Sequence, residues 1–139
     1  MRVFVMTRFV VLSVVLLSCA PLFPAQLRVS KAPVIGTYSS IQYHQESGDL
    51  VGIEVRIAPV QEEHYQGVIQ FCGGLPSKLI LVEIQAAKGA LSFEIPSDSG
   101  YGGRFEGTYS SSGIKGTIKF ASGQHETVRL PRKRSYWDR

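Results

Sequence analysis

The stretch Gly102–Phe120, Gly-Gly-Arg-Phe-Glu-Gly-Thr-Tyr-Ser-Ser-Ser-Gly-Ile-Lys-Gly-Thr-Ile-Lys-Phe, limits this chain to very few folds. Phe105, Gly107 and Tyr109 alternate with Arg104, Glu106 and Thr108; beyond Ser111-Ser112-Gly113, the residues Ile114, Gly116, Ile118 and Phe120 alternate with Lys115, Thr117 and Lys119. Period two, a turn of small residues and period two again predict a β-hairpin with one apolar and one polar face. Its inward residues, Phe105, Tyr109, Ile118 and Phe120, belong in a core.

The rest of the chain repeats this pattern. A first strand is expected over Val34–His44, turning at Glu46-Ser47-Gly48-Asp49, and a second over Val51–Ile57, stopped by Pro59. Tyr65–Cys72 forms the third and ends at Gly73-Gly74-Leu75-Pro76. Leu79–Ala86 is the fourth, and Leu91, Phe93 and Ile95 mark the fifth. The loop Pro96–Gly103 then leads into the hairpin, which supplies the sixth and seventh, and His125–Leu130 is the last. About eight short strands joined by tight turns, with no helical period, argue for an all-β antiparallel meander. Closing it into an up-and-down barrel over residues 34–131 removes exposed edges; an open two-sheet β-sandwich is the alternative. With 139 residues, 44% of them hydrophobic, there is material for one domain with a modest core.

Gly36-Thr37-Tyr38-Ser39-Ser40 recurs as Gly107-Thr108-Tyr109-Ser110-Ser111. The apolar residues that follow are out of phase with Gly52 in the first copy and in phase with Gly116 in the second. Either a bulge sits at Gly52 or the likeness is shared turn chemistry, the reading preferred from sequence.

Before the meander, Arg2 and Arg8 flank the start of an apolar run, Phe9–Leu17, that ends at Ser18-Cys19-Ala20. A basic start and roughly nine apolar residues fit an export signal and fall short of the roughly 20 that span a bilayer. Leu16-Leu17-Ser18-Cys19 resembles the bacterial lipobox, which implies lipidation of Cys19; simple secretion is the alternative. The expectation is residues 1–19 as signal, 20–33 as a proline-punctuated linker, and a periplasmic, outer-membrane-anchored or secreted product. From Ala20 onward thirteen basic residues face eleven acidic ones, about +2, and the excess lies in the tail after Leu130. The chain has no asparagine, which excludes N-linked glycosylation. With Cys19 in the signal, Cys72 has no disulfide partner.

Catalytic and metal chemistry find little footing. His44, His64 and His125 each have a nearby carboxylate (Glu46; Glu62 with Glu63; Glu126), but no two share ligand spacing. His125-Glu126-Thr127-Val128-Arg129 has arginine where a zincin helix needs its second histidine, and it lies on an expected strand. No Gly-x-Ser-x-Gly elbow occurs, and Cys72 lacks a third group to complete a Cys-His constellation. Gly100-Tyr101-Gly102-Gly103-Arg104 leads into a strand, whereas a phosphate cradle leads into a helix. The sequence therefore names no catalytic residue, metal ligand or cofactor.

The basic aromatic tail 132–139 is the strongest polar feature. Arg132, Arg134, Tyr136 and Trp137 combine charge with flat apolar surface, and with Tyr38 they are the candidate ligand or partner contacts. Alternatively Trp137 or Tyr136 folds back to close one end of the barrel, with an arginine stacked on its face. Gly36-Thr37-Tyr38, the meander and a late arginine with a tryptophan resemble a reduced calycin, the class of lipocalins and fatty-acid-binding proteins, with Tyr38 where lipocalins carry tryptophan. Phe105-Glu106-Gly107, Ile114-Lys115-Gly116 and the ending Arg132-Lys133-Arg134-Ser135-Tyr136-Trp137 resemble small exported bacterial proteins of unassigned function. The expectation is a non-catalytic envelope or secreted module. Its partner is a small apolar ligand or an envelope protein, not nucleic acid, and it meets membrane only through the Cys19 anchor.

Overall fold

A computed structural model describes residues 34–61 and 64–138. Residues 1–19, expected to be an export signal and including Cys19, the expected linker 20–33, the Glu62-Glu63 pair and Arg139 lie outside the described residues.

The described residues are all-β, with nine strands: β1 (Gly36–Ser39), β2 (Gln42–His44), β3 (Asp49–Gln61), β4 (His64–Pro76), β5 (Ile80–Ala87), β6 (Ala90–Ile95), β7 (Gly103–Tyr109), β8 (Gly113–Phe120) and β9 (His125–Pro131). They form one antiparallel path, β1-β3-β4-β5-β6-β7-β8-β9, with β2 continuing the β1 side of β3. Counting β1 and β2 as one interrupted strand gives the eight-stranded, nearly closed barrel that the alternation predicts. The seam between first and last strands is held by the Tyr38–Arg132 bridge and by the Lys133 amide, which donates to the Thr37 carbonyl at 3.1 Å.

The break between β1 and β2 explains the phase conflict at Gly52. Ser40 and Ile41 bulge out of the ladder: the Ser40 amide donates to the Ile53 carbonyl at 2.9 Å, and its hydroxyl accepts from the Ile53 amide at 3.0 Å. Gly52 faces the bulge at φ +122°, and a Cβ there would lie 2.6 Å from the Ser40 carbonyl oxygen. The repeated Gly-Thr-Tyr-Ser-Ser therefore has two fates: the first copy runs through a bulge, while the second turns at Ser110–Ser112.

Two expected strand ends were set too early. β3 runs past Pro59 to Gln61 because β1 stops at the Gly36–Ile57 pair, so among the described residues β3 has no ladder partner beside the imide on that side. β4 continues through Gly73 and Gly74, which pair with Val51 and Leu50, and folds back only where the Ser77 amide reaches the Phe71 carbonyl at 2.7 Å.

Inward positions join into one contiguous cluster. Ile53, Val55, Ile69, Phe71, Ile80, Val82, Ile84, Phe93, Phe105 and Ile118 are buried as the alternation predicts, with Phe120 partly buried against them. Leu91, Ile95, Ile114, Val128 and Leu130 complete the lining. Phe93 stacks on Phe105 with centroids 4.9 Å apart, and Phe71 stacks on Tyr101 at 4.2 Å. Each such fully buried side chain contributes about 1.5–3 kcal/mol. The opening hairpin is central: Gly107 and Gly116 face each other across β7 and β8, and a Cβ on either would come within 2.7 Å of the Phe105 ring. These glycines let an aromatic ring lie flat across the strands, a packing role and not a ligand-binding one.

Candidate functional site

The outward face of β3 carries the most buried acid among the described residues. Alternation sends Ile53 and Val55 inward and Glu54 outward, yet Glu54 is only 2% exposed because the C-terminal tail crosses over it. The Ser135 hydroxyl donates to Glu54 Oε1 at 2.6 Å, the Tyr136 amide donates to Oε2 at 2.9 Å, and Arg56 Nε donates to Oε1 at 2.9 Å. Burial alone would raise the Glu54 pKa; the hydrogen bonds from Ser135, Tyr136, Arg56 and Ser39 outweigh it and hold the carboxyl below the ordinary glutamate value. Ser135 in turn accepts from Arg56 Nη2 at 2.5 Å and from the Trp137 amide at 3.2 Å. The tail is thus tied across the outer wall by a carboxylate whose oxygens are occupied.

Trp137 extends this strap onto β4. Its indole N–H donates to Gln70 Oε1 at 2.8 Å, and Tyr136 meets it edge-on with centroids 5.2 Å apart. The expectation that a tail aromatic plugs the barrel end is corrected on both counts. The tryptophan lies on the outer wall, and the arginine–aromatic stack forms elsewhere, between Arg132 and Tyr38. Arg132 Cζ sits 5.0 Å from the Tyr38 ring centre, Nη2 donates to the Tyr38 hydroxyl at 2.7 Å, and Nη1 donates to the Ile35 carbonyl at 2.9 Å. Tyr38 donates onward to the Val34 carbonyl at 2.8 Å; its burial, opposed by Arg132, raises its pKa.

The five candidate contact residues therefore divide into two groups. Tyr38 and Arg132 close the seam, with Tyr38 fully buried. Tyr136 and Trp137 lie on the outer wall, and Arg134, exposed between the two groups, makes no hydrogen bond or ion pair with the described residues. Alternation puts Cys72 on the outer face with Gln66 and Gln70, as expected, but it is buried there. Desolvation pushes its thiol pKa up and the nearby Glu54 charge adds to this, the reverse of what a nucleophilic thiol requires. His44, His64 and His125 are each exposed, and among the described residues no group of three metal-ligating side chains converges.

Sequence reading missed the apolar surface beside the strap. Leu79 and Leu81 are 65% and 59% exposed, and Trp137 of the tail, bonded to Gln70 on the neighbouring strand β4, is 42% exposed. The signal was present: Leu79-Ile80-Leu81-Val82 is a continuous apolar run, which places apolar groups on both faces of a strand. Three clefts open around this region and at the rim. One of about 460 Å³ lies between Tyr101, Phe120, Gln124 and Glu126 at the barrel end. The other two share Leu81 and Pro96: one of about 320 Å³ lies between β5 and β6, and one of about 280 Å³ between the start of β5 and the segment 96–99. Facing them across β6, β7 and β8 runs an exposed charge ladder of Glu94, Arg104, Glu106 and Lys119. Among the described residues no helix is long and apolar enough to cross a membrane.

Comparison with protein-family models, with curated proteins and with solved structures finds no match to this chain.

Proposed function

We propose that this protein is a non-catalytic, exported β-barrel module that binds a protein partner through the outer wall formed by β4, β5 and the C-terminal tail. The observation that carries the reading is the grouping of Leu79, Leu81 and Trp137 on an outer surface while the inward side chains already pack against one another. Large exposed apolar groups beside satisfied polar ones, an aromatic among them, are the composition of a binding patch. Arg134, held close by and without an ion pair among the described residues, supplies a charge for an acidic partner group. A small apolar ligand is the second reading, supported by the rim cleft with Tyr101 and Phe120 in its lining. The calycin-like reading draws support from the meeting of Tyr38 with Arg132, the tyrosine and the late arginine that carry that resemblance.

Export remains part of the proposal and rests on residues 1–20. The mass of the processed protein from its host tests it: a diacylglyceryl group on an amino-terminal Cys19 supports anchoring, and an unmodified product cut elsewhere supports secretion. The binding patch is tested by cross-linking in envelope extracts. Wild type should capture a defined partner that a folded Leu79→Ser, Leu81→Ser, Trp137→Ala variant does not; identical capture by both refutes the patch.

A further inference from the structure

Strand β5 changes partners along its length. Ile80–Ile84 pair with Ile69–Tyr65 of β4, whereas the ladder with β6 holds only Gln85, Ala86 and Ala87 against Ser92, Leu91 and Ala90. From Ile84 back to Ile80, β5 has no ladder partner on its second side among the described residues. Phe93, Glu94 and Ile95 of β6 pair with β7 on one side and have no ladder partner on the side facing β5. The two clefts that share Leu81 and Pro96 lie in this gap and run on from one to the other, from Lys78 to Gln85. An antiparallel strand directs the N–H and C=O of every second residue to the same neighbour, so an unpaired edge is a row of alternating donors and acceptors.

We propose that the β5 edge Ile80–Ile84 takes an extended peptide segment of the partner protein by strand addition; this rests on the partner reading above. Three observations select that occupant. The polar groups offered are backbone groups at strand spacing, which an extended chain satisfies and a helix does not. The furrow is elongated along β5. A second bank, formed by Glu94 of β6, Pro96 just after it and Arg104 of β7, stands across the gap, so a single extended segment fits the furrow better than the wall strand of a second barrel. Outward on β5, Leu81 and Glu83 are two residues apart, and Glu83 has no ion pair among the described residues. The segment therefore carries an aliphatic side chain beside Leu81, a Lys or Arg beside Glu83, and a small apolar residue between them facing Val82 and Phe93.

The probe is the capped peptide Thr-Lys-Ala-Val-Ala-Val-Thr, with two further forms N-methylated on alternate residues, added at millimolar concentration to ¹⁵N-labelled processed protein. Saturable shifts across Leu81–Glu83 are expected, with amide exchange slowed at alternate residues of Ile80–Ile84, those whose N–H faces away from β4. One N-methylated form should bind like the parent and the other should lose binding, and Leu81→Glu should weaken the parent about tenfold. Equal binding by all three forms identifies the furrow as an apolar-ligand site and overturns strand addition, as does the absence of any shift in the β5 edge. If wild type still captures an envelope partner while no peptide touches β5, strand addition fails and the partner reading stands. If the peptide protects β5 while no envelope partner is captured, strand addition stands and the outer-wall patch fails.

Discussion

Arg132 Nη2 donates to the Tyr38 hydroxyl at 2.7 Å, and its guanidinium carbon lies 5.0 Å from the centre of the same ring. One side chain thus joins the residue after the last strand to the first strand, over the seam where the ladder has only the Tyr38–Arg132 bridge. Closing a barrel in this way replaces a run of ladder hydrogen bonds with two charge-assisted bonds from Arg132, to the Tyr38 hydroxyl and the Ile35 carbonyl, and one cation–π contact.

Removing that closure should cost stability more than its single bonds suggest. Arg132→Ala is expected to lower unfolding free energy by about 1–3 kcal/mol, and Arg132→Lys, which keeps the charge but loses the planar fork, should recover only part. A double-mutant cycle with Tyr38→Phe, read by urea denaturation, should give a coupling above about 0.5 kcal/mol. Additive costs would mean that the two residues act independently at the seam.

Glu54 makes the strap sensitive to acid. Its pKa is lower in the folded protein than the ordinary value of 4.5, so its contribution is fully present above that value and is lost as pH falls through the lower folded value. Stability and tail attachment should therefore fall together below about pH 4.5. Trp137, the sole tryptophan, reports the event: its emission should shift to the red on acidification, and Glu54→Gln should show the shift already at neutral pH. Emission that stays constant through the acid limb in wild type would show that the strap does not depend on the carboxylate.

Gly116→Ala should be among the most costly small substitutions in the chain. The new methyl would stand 2.4 Å from the Glu106 carbonyl and 2.6 Å from the Phe105 ring, so strand and ring must both move. A loss of about 2–4 kcal/mol is expected by denaturant titration, with Phe105→Leu returning part of it in the double variant. Gly73→Ala, with nothing within 4 Å of the new methyl, is the control and should stay within about 1 kcal/mol.

Cys72 should behave as a structural thiol. Burial and the Glu54 charge both raise its pKa, so alkylation by iodoacetamide at neutral pH should run at least about tenfold slower than for an exposed cysteine and recover on unfolding. Labelling of the folded protein at the rate of a free thiol would refute the assignment.

Much of the barrel was legible in the sequence because period two carries face information residue by residue. Ile53, Val55, Phe93, Phe105 and Ile118 follow the alternation and are all buried. The errors share one physical origin. Pro59 and Gly73-Gly74 end strands only when both sides of the ladder require them to, and here one side was open or bulged. The candidate site was less legible. Tyr38 and Arg132 were read from sequence as two of five candidate ligand or partner contacts, and nothing local to either shows that they meet. Glu54 occupies an ordinary outward polar position, and only the tail's return across the wall buries it.

The sequence by itself determined the all-β character, the strand count to within the β1–β2 break, the inward face and the hairpin glycines, because each depends on contacts within a strand or between adjacent strands. The tertiary structure alone decided where the ends of the chain meet, that the tail straps the outer wall instead of plugging the barrel, and that β5 leaves β4 before it fully joins β6. Those features join residues far apart in the chain, such as Glu54 with Ser135 or Gln70 with Trp137. A periodic pattern has no term for such distances; closure, twist and packing set them.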